Sequence, residues 1–214
     1  MENKTSKVCG VSFNIVNELP QKVTNKLIRT VKTMKDSDYQ GFEEVETILR
    51  YISGGVCGKI YDLGGDFILK INEFSWNSNT YDGDILRDLQ GIPLIPKVYW
   101  YSDDNRFIVI QKINGRTVRD YFQSPFILKK QWVHAAFKEI AEKTVSMCLK
   151  RGWVVNDMHS GNCMIDYLGE FWIVDVGLFK KTGNHDYLAE HNLIELISES
   201  ERIEVCNNMM AEAI

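Results

Sequence analysis

The sequence predicts an α+β fold in which a small antiparallel sheet precedes a reduced helical part. Three stretches predict it. Residues 45–72 hold three apolar runs, VETILRYIS, VCGKIYDL and DFILKIN, separated by glycine-bearing turns. Gln131 to Arg151 places Val133, Phe137, Ile140, Ala141, Val145, Cys148 and Leu149 on one helical face. Arg151 to Gly177, RGWVVNDMHSGNCMIDYLGEFWIVDVG, reads as an apolar run, a polar loop and a hairpin.

Composition narrows the function classes. The 214 residues are 44% hydrophobic and 11% aromatic, enough for one ordinary core or two small lobes and too apolar for a disordered chain. The net charge is −4 with no basic block, which argues against nucleic acid as a partner. No apolar run approaches the roughly 18 residues of a membrane span, and the polar N-terminus lacks the apolar core of a cleaved secretory peptide. Five cysteines lie far apart with no CxxC, so free thiols in a reducing compartment are expected, with neither zinc nor disulfides. The expected state is a soluble monomer.

Taken in order, residues 1–14 are polar and read as loose. From Asn17, a candidate cap, to Lys35, apolar residues recur at three and four, giving one amphipathic helix whose face needs the small sheet as partner. Residues 1–43 thus form an extension, 44–112 a sheet-bearing part and 113–214 a helical part. Between the first two strands lies Ser53-Gly54-Gly55-Val56-Cys57-Gly58, and Lys70 sits near the end of the third strand. Tyr81 to Leu89 is helical. Val98–Tyr101 and Arg106–Lys112 form a hairpin about Asp103-Asp104-Asn105, and Asn114-Gly115-Arg116 is the turn leaving it. Thr117 caps a short helix to Phe122, and Tyr187 to about Met210 is helical.

The chemistry concentrates in Arg151–Gly177. Asp157 follows Trp153-Val154-Val155, and Asn162 comes five residues later. A hairpin turning at Gly169 carries the chain back to Asp175, so the Asp157–Asn162 loop and Asp175 meet at one edge. Two carboxylates and an amide carbonyl form an all-oxygen set, which suits Mg²⁺ and substrate phosphates. His159 reads equally as a phosphate or metal neighbour and as a structural hydrogen-bonding residue. His134, His185 and His191 lack zinc spacing, and Asp166 and Glu170 read as solvated turn residues.

These residues resemble the protein-kinase-like superfamily. D-x-x-x-x-N is present as Asp157 to Asn162 and the D-F-G element as Asp175-Val176-Gly177. The wording D-M-H-S-G-N is similar to that of bacterial and atypical branches. The resemblance implies a two-lobed fold with ATP and Mg²⁺ as cofactors. It implies Asp157 on the acceptor hydroxyl and Asn162 and Asp175 on the metal. It implies Ser53, Gly54, Gly55, Gly58 and Ile60 over the nucleotide, with the first glycine of the usual loop replaced by Ser53. Lys70 takes the phosphates, and its acidic partner is Asp82, with Asp84 and Glu73 as alternatives. Gln111-Lys112-Ile113 corresponds to the hinge that binds adenine through its backbone. Val155 and Asn156 replace the usual His and Arg before the catalytic Asp. With few residues after Gly177, activity independent of activation-loop phosphorylation is expected.

The small second lobe looks like that of minimal effector kinases injected by bacterial pathogens. Those act on host proteins, among them ubiquitin-pathway proteins and the ninety-kilodalton heat-shock chaperone. The resemblance therefore implies phosphoryl transfer to Ser or Thr of a protein. An aminoglycoside-type small-molecule phosphotransferase and a pseudokinase binding module are the alternative readings.

Overall fold

The computed structural model describes residues 4–55, 58–73, 81–123, 142–155 and 159–181. The chain divides into two compact units, residues 1–90 with 96–112, and residues 91–95 with 113–214.

The first unit is built on a seven-stranded antiparallel sheet in the order β1-β2-β6-β7-β5-β4-β3. Its strands are β1 (Lys4–Val8), β2 (Val11–Ile15), β3 (Arg50–Gly55), β4 (Gly58–Gly64), β5 (Phe67–Asn72), β6 (Val98–Ser102) and β7 (Phe107–Gln111). Helices α1 (Gln21–Asp36), α2 (Phe42–Glu46) and α3 (Asp82–Asp88) accompany it among the described residues. Strand side chains alternate between the two faces. Tyr61, Leu63, Leu69, Ile71, Phe107 and Val109 therefore share one face, and they pack in a single buried cluster with Val23, Leu27, Val31 and Met34 of α1. Helix α1 is thus the lid of the apolar face, which satisfies the amphipathic face read from its sequence.

Three local readings differ. Residues 4–15 are not loose: they form a hairpin that joins the sheet through β6, with Phe13 opposite Ser102 and Ile15 opposite Trp100. Asn17 does not cap α1. Its side chain instead donates to the Val98 carbonyl at 2.7 Å, and Pro20 occupies the cap position. Val45 to Leu49 is not strand. Val45 and Leu49, four apart and joined by a 2.8 Å backbone bond, are buried on one side of a helical turn, so the strand starts at Arg50. Acidic Glu43 and Glu44 in the first turn of α2 suit the positive end of a helix.

The second unit contains β8 (Gly115–Thr117), α4 (Val118–Gln123), helical residues 142–150, β9 (Trp153–Val154), β10 (Cys163–Asp166), β11 (Phe171–Ile173) and β12 (Lys180–Lys181). Asn114-Gly115-Arg116 is not simply a turn, because Gly115 and Arg116 lie in β8, which pairs with β10. A Cβ on Gly115 would sit 2.0 Å from the Ile165 carbonyl, so only glycine permits this pairing. Thr117 is a cap as read. Its hydroxyl accepts from the Asp120 N–H at 3.0 Å, and Asp120 accepts from the Thr117 N–H at 3.2 Å, a reciprocal capping box. The expected helices over Gln131–Arg151 and Tyr187–Met210 lie outside the described residues, except for residues 142–150.

At the rim of the first unit, Asp62 bonds Lys112 at 3.0 Å and Arg50 at 2.7 Å. Burial opposes its ionisation. The Lys112 and Arg50 donors and the Gly64 N–H outweigh that effect and bring the carboxyl from its ordinary 3.8 down to about 2. A carboxyl that ionises more readily when folded stabilises the fold above its unfolded pKa, and that contribution is lost as pH falls through about 2. Arg50 is well exposed, so solvent screening limits the pair to about 1 kcal/mol. Urea unfolding should show Asp62→Asn less stable than the native chain at pH 7, with the gap closing at pH 2. An equal gap at both pH values would contradict this reading.

Candidate functional site

The register of the sheet brings together the candidate residues of the first unit. Ser53 pairs with Ile60, Ile60 with Lys70, Lys70 with Ile108, and Ile108 with Tyr101. Residues directly opposite one another share a face, so Ser53, Ile60 and Lys70 form one row on the face away from α1. Gly55, Gly58 and Asn72 form the next row on that face. The described glycines play different parts. Gly55 has nothing within 4 Å of where a Cβ would stand, so it leaves open space above the strand. At Gly58 a Cβ would strike the Ile71 carbonyl at 2.3 Å, so this glycine is required by β5 rather than by a ligand. On Gly54 a Cβ would crowd the Tyr51 hydroxyl, at 2.9 Å, with the Gly58 carbonyl at 3.4 Å. Val56 and Cys57 lie outside the described residues.

Lys70 and Asp82 form a buried ion pair of 2.5 Å, with side chains 8% and 2% exposed. Asp82 is therefore the acid that meets Lys70. Asp84 is engaged elsewhere: it accepts from the Tyr101 hydroxyl at 3.1 Å and from Asn105 at 2.9 Å, and it pairs with Arg87. Burial and the Asp84 charge push Tyr101 up to about 12 against the opposing Arg87 charge, so its hydroxyl keeps its proton at neutral pH.

Two residues that sequence reasoning missed surround Asp82. Asn72, two positions after Lys70 and on the same face, donates from Nδ2 to Asp82 at 3.3 Å and to the Asn105 carbonyl at 2.8 Å. Asn105, in the β6–β7 turn, accepts at Oδ1 from the Gly83 N–H at 2.8 Å. Strand periodicity could have placed Asn72 beside Lys70, but nothing local to either sequence marks Asn105 as a neighbour of α3. Gly83 was missed as well. A Cβ there would lie 2.3 Å from the Tyr101 ring, so glycine lets α3 seat on β6.

The hinge residues are partly committed to the fold. The Gln111 N–H donates to Lys97 and the Lys112 N–H to Asp66, at 2.8 and 2.9 Å, and the Lys112 ammonium holds Asp62. Both of these N–H groups are engaged within the first unit. Ile113 begins the second unit's main segment.

In the second unit the hairpin folds as the sequence predicts. Gly169 takes φ 89° in the turn, and Cys163 pairs with Ile173. One step beyond that pair, the Val174 N–H donates to the Asn162 carbonyl at 2.9 Å. This bond brings the Asn162 and Asp175 positions to one edge, although β11 itself ends at Ile173. The Asp175 carboxylate accepts from the Gly177 N–H at 3.2 Å. β9 pairs with β12, Val154 opposite Lys180, so the approach to the D-x-x-x-x-N loop lies beside the chain leaving Asp175-Val176-Gly177. Asp157 lies outside the described residues, as do Asn156, Cys206, His134, His185 and His191. Among the described residues no three His, Cys, Asp or Glu side chains cluster as metal ligands. The Asn162–Asp175 donor set is hard oxygen, which fits Mg²⁺.

His159 serves the loop structurally. Its Nδ1 accepts the Gly161 N–H at 3.0 Å, which leaves the ring proton of the neutral form on Nε2, and Arg119 Nη2 approaches the same nitrogen at 3.3 Å. The Arg119 N–H donates to the Ser160 carbonyl at 3.0 Å, so α4 braces the loop. Asp166 is likewise not a solvated bystander. Although burial opposes its ionisation, the Trp172 indole N–H and the Glu170, Leu168 and Gly169 backbone hold its carboxyl below the ordinary value. Burial pushes the Cys148 thiol up to about 12, which leaves it protonated and inert.

The buried pair gives a stability test. Removing one partner of a buried ion pair strands a charge and costs about 3–5 kcal/mol, whereas replacing both by apolar residues is often neutral. Asp82→Ala should therefore lose about that much in urea unfolding, and Lys70→Met with Asp82→Leu should return to within about 1 kcal/mol of the native chain. Equal losses in both variants would contradict a buried, mutually dependent pair.

No curated protein matches the chain. Among the described residues no helix is long and apolar enough to cross a membrane. The model of the ABC1 atypical kinase-like domain matches residues 84–208, more than half of the chain. The matched span takes in Asp157, Asn162 and Asp175 and begins after Lys70 and Asp82. Those two residues nonetheless meet as a lysine–acid pair on an antiparallel sheet, an α+β arrangement of the kinase-like type. The chain belongs to the ABC1 atypical kinase-like family.

Proposed function

We propose that this protein is an ATP- and Mg²⁺-dependent kinase that phosphorylates Ser or Thr of a protein. The observation that carries this reading is the buried Lys70–Asp82 pair. A buried pair contributes little net stability compared with apolar residues of similar size, so its presence calls for a use, and orienting an ammonium toward phosphates is one. The two units then act as the two lobes of a protein kinase.

Mg-ATP, when bound, supplies the phosphoryl group and the metal charge that offsets its negative oxygens. Lys70 binds the phosphates, its ammonium aimed by Asp82. Ser53, Gly54, Gly55, Gly58 and Ile60 lie over the nucleotide, with Gly55 offering the open approach. The hinge contributes through the carbonyls of Gln111 and Lys112 and through Ile113. Asn162 and Asp175 hold the metal through oxygen. Asp157 orients the acceptor hydroxyl and accepts its proton late in the transfer. The acceptor is proposed to be a host protein, a chaperone or a ubiquitin-pathway protein, with this chain acting as a monomeric bacterial effector in the host cytosol. That part rests on the D-M-H-S-G-N wording.

A second reading, the pseudokinase binding module, is favoured by Val155 and Asn156 in place of the usual His and Arg. Asp157→Asn keeps shape and removes basicity. Positioned acid–base groups contribute roughly 10²–10⁴-fold, so transfer from radiolabelled ATP to host-lysate proteins should fall by about that factor while MgATP binding persists. Asp175→Ala should abolish the Mg²⁺-dependent part of the rise in Tm that ATP produces. Transfer by neither native nor mutant chain, with binding intact in both, would support the pseudokinase. Labelling of an aminoglycoside instead of protein would support the small-molecule enzyme.

A further inference from the structure

We infer that Asn105 is a positioning residue for the Lys70–Asp82 pair, holding the first turn of α3 from the β6–β7 turn so that the Asp82 carboxylate meets the Lys70 ammonium. Helix α3 has no side-chain cap of its own, since Tyr81 occupies the cap position and makes no capping bond. A helix begins with N–H groups that lack partners inside it. Asn105 supplies the missing acceptor from 22 positions beyond Gly83: its Oδ1 takes the Gly83 N–H at 2.8 Å and lies 3.4 Å from the Asp84 nitrogen. Its Nδ2 donates to Asp84 at 2.9 Å, and its carbonyl accepts from Asn72, which also reaches Asp82. The amide orientation follows from its neighbours, because the oxygen faces an N–H and the nitrogen a carboxylate.

The clamp itself is buried and braced. Asn105 is 3% exposed and sits at φ 54°, a left-handed conformation that asparagine tolerates better than most residues. The turn that carries it is tied to the N-terminal hairpin: the Asp103 N–H donates to Ser12 at 3.0 Å, and Asn14 donates to the Asp103 carboxylate at 2.8 Å. Gly83 lets α3 lie on the Tyr101 ring, so the helix has a seat on β6 and an anchor at Asn105. Asp82 is the first residue of that helix. A shift of its first turn moves the carboxylate away from Lys70.

The effect on nucleotide rests on the phosphotransfer reading, so the test reads the pair both with and without nucleotide. Asn105→Gly removes the clamp and keeps the left-handed backbone. Three quantities are measured on the full chain: amide exchange at Gly83 and Asp84, the NMR signal of the Lys70 ammonium protons in the nucleotide-free protein, and the Kd for MgATP. A buried, bonded ammonium exchanges its protons slowly, so its signal reports the pair directly. Asn105→Gly should speed exchange at Gly83 and Asp84, weaken the ammonium signal and raise the Kd about tenfold, since misplacing a group by about 1 Å has effects up to 10²-fold. Amides in β5 and β7 should stay protected. Asn105→Asp alone sets a carboxylate against Asp84 and should act in the same direction. Adding Asp84→Asn exchanges the roles of amide and acid and should restore all three quantities.

Faster exchange with an unchanged ammonium signal would overturn the inference and leave Asn105 a merely structural cap. An unchanged signal and Kd in Asn105→Asp, or failure of Asp84→Asn to rescue, would overturn it too, as would absence of the ammonium signal from the native chain. If Asn105→Gly does not fold, Asn105→Asp with and without Asp84→Asn gives the same decision. Failure of the native chain to bind MgATP would refute the phosphotransfer reading, and the ammonium signal would still decide the role of Asn105.

Discussion

A lysine and an aspartate share a bond of 2.5 Å inside the first unit, with almost no water on either side chain. Taking two charges out of water costs several kcal/mol per ion, and only close geometry with further hydrogen bonds offsets it. Much of the surrounding structure serves that requirement. The register of β3, β4, β5 and β7 puts Lys70 on the face away from the apolar core, while helix α1 seals the opposite face with Leu27, Val31 and Met34. Helix α3 approaches the polar face closely because Gly83 has no side chain to strike Tyr101. Asn72 then gives Asp82 a second donor at 3.3 Å.

The described part of the second unit brings the Asn162 and Asp175 positions to one edge. It does so with short strands and backbone bonds. Val174 to Asn162 closes the hairpin beside Asp175, and Val154 opposite Lys180 ties the chain before the loop to the chain after it. His159 and Arg119 pack against Gly161, where a Cβ would come within 2.9 Å of the imidazole. A side chain at the glycine of D-M-H-S-G-N would therefore displace the ends of His159 and Arg119.

Patterns that depend on neighbours in sequence were legible. The alternation of β4, β5 and β7, the amphipathic face of α1, the Thr117 cap and the Gly169 turn all follow from local rules, and Lys70 could be placed on its strand. What escaped depends on tertiary partners. The β1–β2 hairpin buries only Val8 and Phe13 fully, so it carries too faint an apolar alternation to read as strand. Val45 and Leu49 fit a helical turn as well as a strand, and the core decides between them. Asp166 looked solvated because its donors, among them the Trp172 indole, appear only when the hairpin closes. Asn105 was visible as a turn residue, but its bond to Gly83 spans two elements and cannot be inferred from either.

The central claim is that the buried pair is kept for a ligand and not for stability. Calorimetric titration of MgATP into the native chain and into the folded Lys70→Met, Asp82→Leu variant tests it most directly. The account predicts saturable binding to the native chain and loss of most of that affinity in a variant that is still cooperatively folded. Equal MgATP affinity in the two proteins would contradict it.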